Sequence, residues 1–156
     1  MQRILKGFLL AVISMFVLSV GTNMLHELGH AFACTVYGHE FEIVSVGLGT
    51  NITQCFNDDA PSERFFIGVM GGLVGAVASI ILFIFVNVGW FRAVAIALVA
   101  SHGMMAIVES SPLRDWYTTS DTATTFISGI FLLVFIIGAY KWILKAPETK
   151  TEVKSS

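Results

Sequence analysis

Charged side chains are what this sequence has least of. Asp, Glu, Lys and Arg together make 13% of its 156 residues, about half the roughly 25% usual in soluble domains. Four stretches have none at all: Gly7–Leu25, Phe65–Phe91, Ala93–Val108 and Thr122–Tyr140. Cysteine is scarce too. Two residues, Cys34 and Cys55, cannot build a disulfide scaffold. Two unpaired thiols are the expectation, with a single bridge only if the segment between them faces an oxidising compartment. Basic stripes are missing and the net charge is −2, which argues against a nucleic-acid partner. There is no internal repeat.

What fills the chain instead is apolar: 55% of residues are hydrophobic and the mean hydropathy is +0.78. A bilayer core about 30 Å thick takes about 20 helical residues. The first, second and fourth charge-free stretches reach that length alone, and the third does with its flanks. The expected fold is therefore an all-α membrane protein with four transmembrane helices, and the lipid bilayer is its first expected partner. The N-terminal segment also has the basic start, apolar run and small residues of a secretory signal. Cleavage there would leave His26 almost at the new terminus with no helix upstream, so the segment is read as a spanning helix.

The first helix is expected from Phe8 to Tyr37, with Gly38 as its C′ residue. "HEFEIVSVGLGTNITQCF" follows, with β-branched and aromatic residues in partial alternation and Gly47 and Gly49 as breakers. That pattern predicts a short β-hairpin or extended segment between helices 1 and 2. Asn51-Ile52-Thr53 is a glycosylation triplet by pattern, of a kind that arises often by chance. The second helix carries two small-residue rows, Gly68, Gly72, Ala76 and Gly71, Gly75, Ser79. Such rows let helix backbones approach closely in lipid. Residues 1–145 are read as one membrane-embedded domain and 146–156 as a polar tail expected to be disordered.

An even number of crossings puts both termini on one side of the membrane. That side collects Arg3, Lys6, Arg92, Lys141, Lys145, Lys150 and Lys154, against Arg64 and Arg114 on the other. Both termini are therefore expected in the cytoplasm.

"NMLHELGHAF", residues 23–32, sets three ionisable groups inside this apolar chain, where they are costly and functional by default. "HELGH" fits H-E-x-x-H. On a helix His26 and His30 stand one turn apart on one face, so both imidazoles reach one metal ion, and Glu27 is placed as the base for metal-activated water. One Zn2+ per chain is the expected cofactor, because a catalytic zinc takes three protein ligands and keeps one position open. The candidates for the third ligand are Asp121, Asp115, Glu109 and His102. A fourth helix beginning at Ser111-Pro112 would carry Asp121 about 13 Å deep, between His30 at about 10 Å and His26 at about 16 Å. Asp115 takes the role if the linker before it dips into the membrane. His102, at a similar depth on the third helix, is a candidate catalytic group that donates to a developing oxyanion, or an extra or outer partner of the metal. Asn23, one turn before His26, is a weaker candidate for orienting substrate or water.

These residues resemble the site-2 protease family of intramembrane zinc metalloproteases. The likeness rests on HELGH in an apolar helix, the extended "GLGTNIT", the "GVMGGLVGA" helix start and a downstream Asp near a Pro. It implies that His26 and His30 are ligands, that Glu27 is the base, and that the substrate is a partly unwound transmembrane helix. The family's Asp-Gly third-ligand motif is missing. "ESSPLRDW" echoes its Asn…Pro…Asp arrangement and points to Asp115, whereas "SDTA" resembles the Ser-Asp element of shorter members and points to Asp121. The expected activity is that of a zinc metalloendopeptidase acting on a membrane protein or peptide, with assembly of several copies left open. A non-proteolytic membrane metal-binding protein or carrier is the alternative.

Overall fold

The computed structural model describes residues 2–47, 50–57, 60–113 and 121–141. They form α1 (Gln2–Val36), β1 (Phe41–Gly47), β2 (Thr50–Cys55), α2 (Pro61–Phe85), α3 (Gly89–Glu109) and α4 (Asp121–Ala139). The helical fold with a hairpin between its first two helices is the expected one. Residues 146–156 lie outside the described residues.

α1 has no proline and no internal breaker strong enough to stop it, and it ends where glycine permits. Gly38 adopts a φ of 75°. Its N–H donates to the Thr35 carbonyl at 3.0 Å and that of His39 to Cys34 at 2.9 Å, the paired closure of a Schellman motif. α2 begins at Pro61, seven residues ahead of the glycine-rich run. Pro at the first helical position and Glu63 in the first turn explain the early start, since Pro needs no partner there and an acid suits the positive helix end. The chain between α1 and α2 is tied down by His39 Nε2 and Glu63 Oε2, 3.0 Å apart.

The hairpin is antiparallel, pairing Phe41 with Cys55 through Ser45 with Asn51, with an irregularity between Ser45 and Gly47. A disulfide joins Cys34 of α1 to Cys55 of β2, with Cα atoms 5.9 Å apart. This corrects the expectation of two unpaired thiols. Register places Cys55 beside α1, one turn beyond His30, and that proximity was invisible to spacing in sequence.

Side chains are distributed inside out. Phe16, Val17, Ile84 and Phe85 are exposed, whereas the core is made of Ala11, Ala93, Val94, Ala97, Leu98 and Phe135, with polar Thr22, His26, Glu27, Ser79 and His102 also buried. Water would oppose that arrangement, while lipid tolerates large apolar groups outside and favours small residues at helix contacts. Three helices, Leu5–Val36, Pro61–Phe85 and Gly89–Glu109, are long and apolar enough to cross a membrane.

The two small-residue rows of α2 have different neighbours. A Cβ at Gly68 would strike the Glu109 carbonyl, and one at Gly72 would strike the Ala106 backbone. That row seats α3. A Cβ at Gly71 would strike the His30 ring, and one at Gly75 would lie 2.6 Å from Nδ1 of His102. The second row makes room for imidazoles.

Candidate metal centre

The centre lies where α1, α2, α3 and β2 meet. α1 supplies His26, Glu27 and His30, whose ligand atoms lie within 4.8 Å of one another. The helical spacing does what it must: the two Nε2 atoms stand 3.0 Å apart, with the rings edge to face at 4.7 Å between centroids. Nδ1 of His30 meets the Ile67 carbonyl at 2.7 Å. A carbonyl only accepts, so this nitrogen carries the ring proton, and in neutral His30 the Nε2 lone pair is free to face the centre.

Glu27 is held by the hairpin. The backbone N–H of Thr53 donates to Glu27 Oε2 at 2.6 Å, and Thr53 Oγ1 donates to the Glu27 backbone carbonyl at 2.9 Å. Phe56 N–H donates to Glu40, so by alternation the N–H groups of residues 54 and 52 point into the ladder and that of Thr53 points out of it. The sequence pattern predicts this strand but not what its outer edge meets. Its role in fixing Glu27 depends on which edge faces α1, which sequence does not show.

α3 brings two more groups. Glu109 Oε2 lies 3.2 Å from His26 Nε2 and 3.3 Å from His30 Nε2. His102 is buried, with its ring 5.4 Å from that of His26 and tilted by 30°. Neither His102 nitrogen has a hydrogen-bond partner among the described residues, and neither has Nδ1 of His26.

The two aspartates favoured as third ligand cannot be placed against this centre. Asp115 lies outside the described residues. Asp121 is the first residue of α4, and its side chain is outside the described set. Ser111 does accept from the Leu113 N–H at 3.1 Å, but 111–113 form a turn. Residues 114–120, which a helix starting at Pro112 would occupy, lie outside the described residues. Depth reckoned from each helix's own end assumed that the ends are level. Contact between His30, six residues before the end of α1, and Glu109, the last residue of α3, means that α1 projects past α3 by up to about 9 Å.

No protein-family model, curated protein or solved structure matches the chain.

Proposed function

We propose that the protein is a membrane-embedded zinc metalloendopeptidase in which His26 and His30 hold the metal and Glu27 is the general base. The observation that carries this reading is the separate treatment of neighbouring side chains. The two Nε2 atoms converge at 3.0 Å, while the carboxylate between them in sequence is drawn to the Thr53 N–H. The residues fit a metal, because His30 Nε2 presents a lone pair to a second imidazole and a carboxylate, a cluster that calls for a cation. Imidazole ligands suit zinc.

A zinc ion bound there would act as a Lewis acid and make water nucleophilic near neutral pH. The chain's own part is proton handling. With Oε2 held by Thr53, Oε1 of Glu27 is the atom left to take the proton from the attacking water and return it to the departing amide nitrogen. His102 lies seven residues before Glu109 on the same helix, about 10 Å along its axis, with its ring 5.4 Å from that of His26. We assign it a positioning role toward His26 rather than donation to an oxyanion: His26 Nδ1 and both His102 nitrogens are buried without another partner among the described residues, and His102 offers the acceptor.

The substrate class follows from the surroundings. A site enclosed by apolar helices takes a membrane-protein or peptide segment in extended form, since a helical peptide bond is shielded by its own hydrogen bonds. The resemblance of the HELGH helix, the "GLGTNIT" strand and the "GVMGGLVGA" run to site-2 proteases supports the same class. The Cys34–Cys55 bridge and the excess of Lys and Arg on the terminal side favour a centre that opens toward an oxidising compartment, with both termini in the cytoplasm.

The test is Glu27→Gln in the full-length chain with a co-expressed membrane substrate. Metal content should be unchanged and cleavage lost. Cleavage at the wild-type rate would end the peptidase reading, and metal flux into proteoliposomes that survives the substitution would favour a carrier.

A further inference from the structure

We infer that Glu109, at the C-terminal end of α3, is the third protein ligand of the metal, in the place where neither Asp121 nor Asp115 is needed. The inference rests on reading His26 and His30 as ligands, and it deepens that reading.

Donors bound at 2.0–2.2 Å to a tetrahedral zinc lie about 3.3 Å from one another. His26 Nε2, His30 Nε2 and Glu109 Oε2 form a triangle with edges of 3.0, 3.2 and 3.3 Å. That is one face of such a tetrahedron, with the fourth corner left for water or substrate. Oε2 makes no hydrogen bond of proper geometry in this triangle although it is buried. An ordinary imidazole–carboxylate pair would be aligned along an N–H; a shared cation needs only that the lone pairs converge.

Glu109 is the last residue of α3, at the end of the helix where the backbone dipole is negative and a carboxylate is disfavoured. Its side chain is 14% exposed. A charge removed from water in an unfavourable field needs a cation to stay charged. No Lys or Arg is paired with it among the described residues.

Glycines of α2 make room for both groups. Gly68 admits the Glu109 carbonyl against α2, and Gly71 admits the His30 ring against the same helix. Three residues apart on α2, within one turn, these glycines let the end of α3 and the His30 ring both close on the same stretch of helix. Any side chain at either would separate them.

The experiment measures zinc per chain and zinc affinity in full-length protein purified in lipid nanodiscs, for wild type, Glu109→Gln, Glu109→Ala, Asp121→Ala and Asp115→Ala. Far-ultraviolet circular dichroism and retention of the Cys34–Cys55 bridge report folding, and the near-isosteric Gln variant guards against collapse. Both Glu109 variants should bind zinc at least 100-fold more weakly, beyond the 10–100-fold that losing an outer partner produces. Both Asp variants should bind as wild type does. Wild-type affinity in a folded Glu109→Gln protein, or zinc lost from a folded Asp variant, overturns the assignment. A wild-type chain that binds zinc through Glu109 but cleaves nothing would sink the peptidase reading and leave the ligand standing.

Discussion

The backbone N–H of Thr53 donates to Oε2 of Glu27 over 2.6 Å, joining the outer edge of β2 to the carboxylate that follows His26 on α1. Because that N–H points away from the β1–β2 ladder, it can be removed without breaking a strand pair. Thr53→Pro does this while also removing the Oγ1 bond to the Glu27 carbonyl, and proline is tolerated where the N–H is outside the ladder; Thr53→Val, which loses only the Oγ1 bond, is the control. A hydrogen bond to a charged group contributes about 1.5–3 kcal/mol, so cleavage should slow by roughly 10- to 100-fold while zinc stays bound. Single-turnover cleavage alongside metal analysis checks this; an equal loss of zinc would mean that the strand holds the fold rather than the base.

The glycine rows of α2 make a sharper prediction. Gly71→Ala drives a methyl into the His30 ring and Gly75→Ala one into the His102 ring. Overpacking of this kind costs about 1–3 kcal/mol, and at Gly71 it also displaces a ligand. Zinc affinity should fall markedly in Gly71→Ala. Gly103 of α3 and Gly21 of α1 have nothing within 4 Å of a new Cβ, so alanine there should be harmless or stabilise by up to about 1 kcal/mol. Thermal unfolding of the four variants, with zinc titration, separates the two classes.

Much of this arrangement can be read from the residues alone, and the reasons differ by element. HELGH is legible because helical periodicity acts over four residues. The stop at Gly38 and the hairpin are legible because turn chemistry is local. The two glycine rows announce close contact but not its object, since whether a row meets a backbone or an imidazole depends on the rotation of α3 and α1 against α2. Glu109 was one of four candidates, and its closeness to the two histidines is not legible because the stagger between α1 and α3 is a property of packing. Thr53 and the Cys34–Cys55 pair belong to the same class: both depend on which edge of a hairpin lies on α1.

Breaking the Cys34–Cys55 bridge should cost stability before it costs chemistry. The bridge closes a loop of 21 residues, for which chain entropy gives about 3 kcal/mol. Cys34→Ser/Cys55→Ser should unfold at lower denaturant by that amount, with zinc still bound in the folded protein. In intact cells the wild-type cysteines should resist a maleimide until reduced. Labelling without reductant would contradict the bridge and the outward orientation together.

Replacing His102 distinguishes positioning from packing. His102→Gln keeps an acceptor for His26 Nδ1–H, whereas His102→Leu keeps volume only. The Leu variant should lose zinc affinity by roughly 10- to 100-fold, and the Gln variant should recover most of it. Equal effects of the two would make His102 a packing residue.

The most direct measurement is the metal itself. Full-length protein purified without chelators, or reconstituted with zinc, should carry one zinc per chain. X-ray absorption at the zinc edge should show two imidazole nitrogens and light oxygen donors at about 2.0–2.2 Å. His26→Ala/His30→Ala, folded by circular dichroism, should carry none. A folded wild-type chain that takes up no zinc, or a double variant that binds it as tightly as wild type, would contradict the account at its centre.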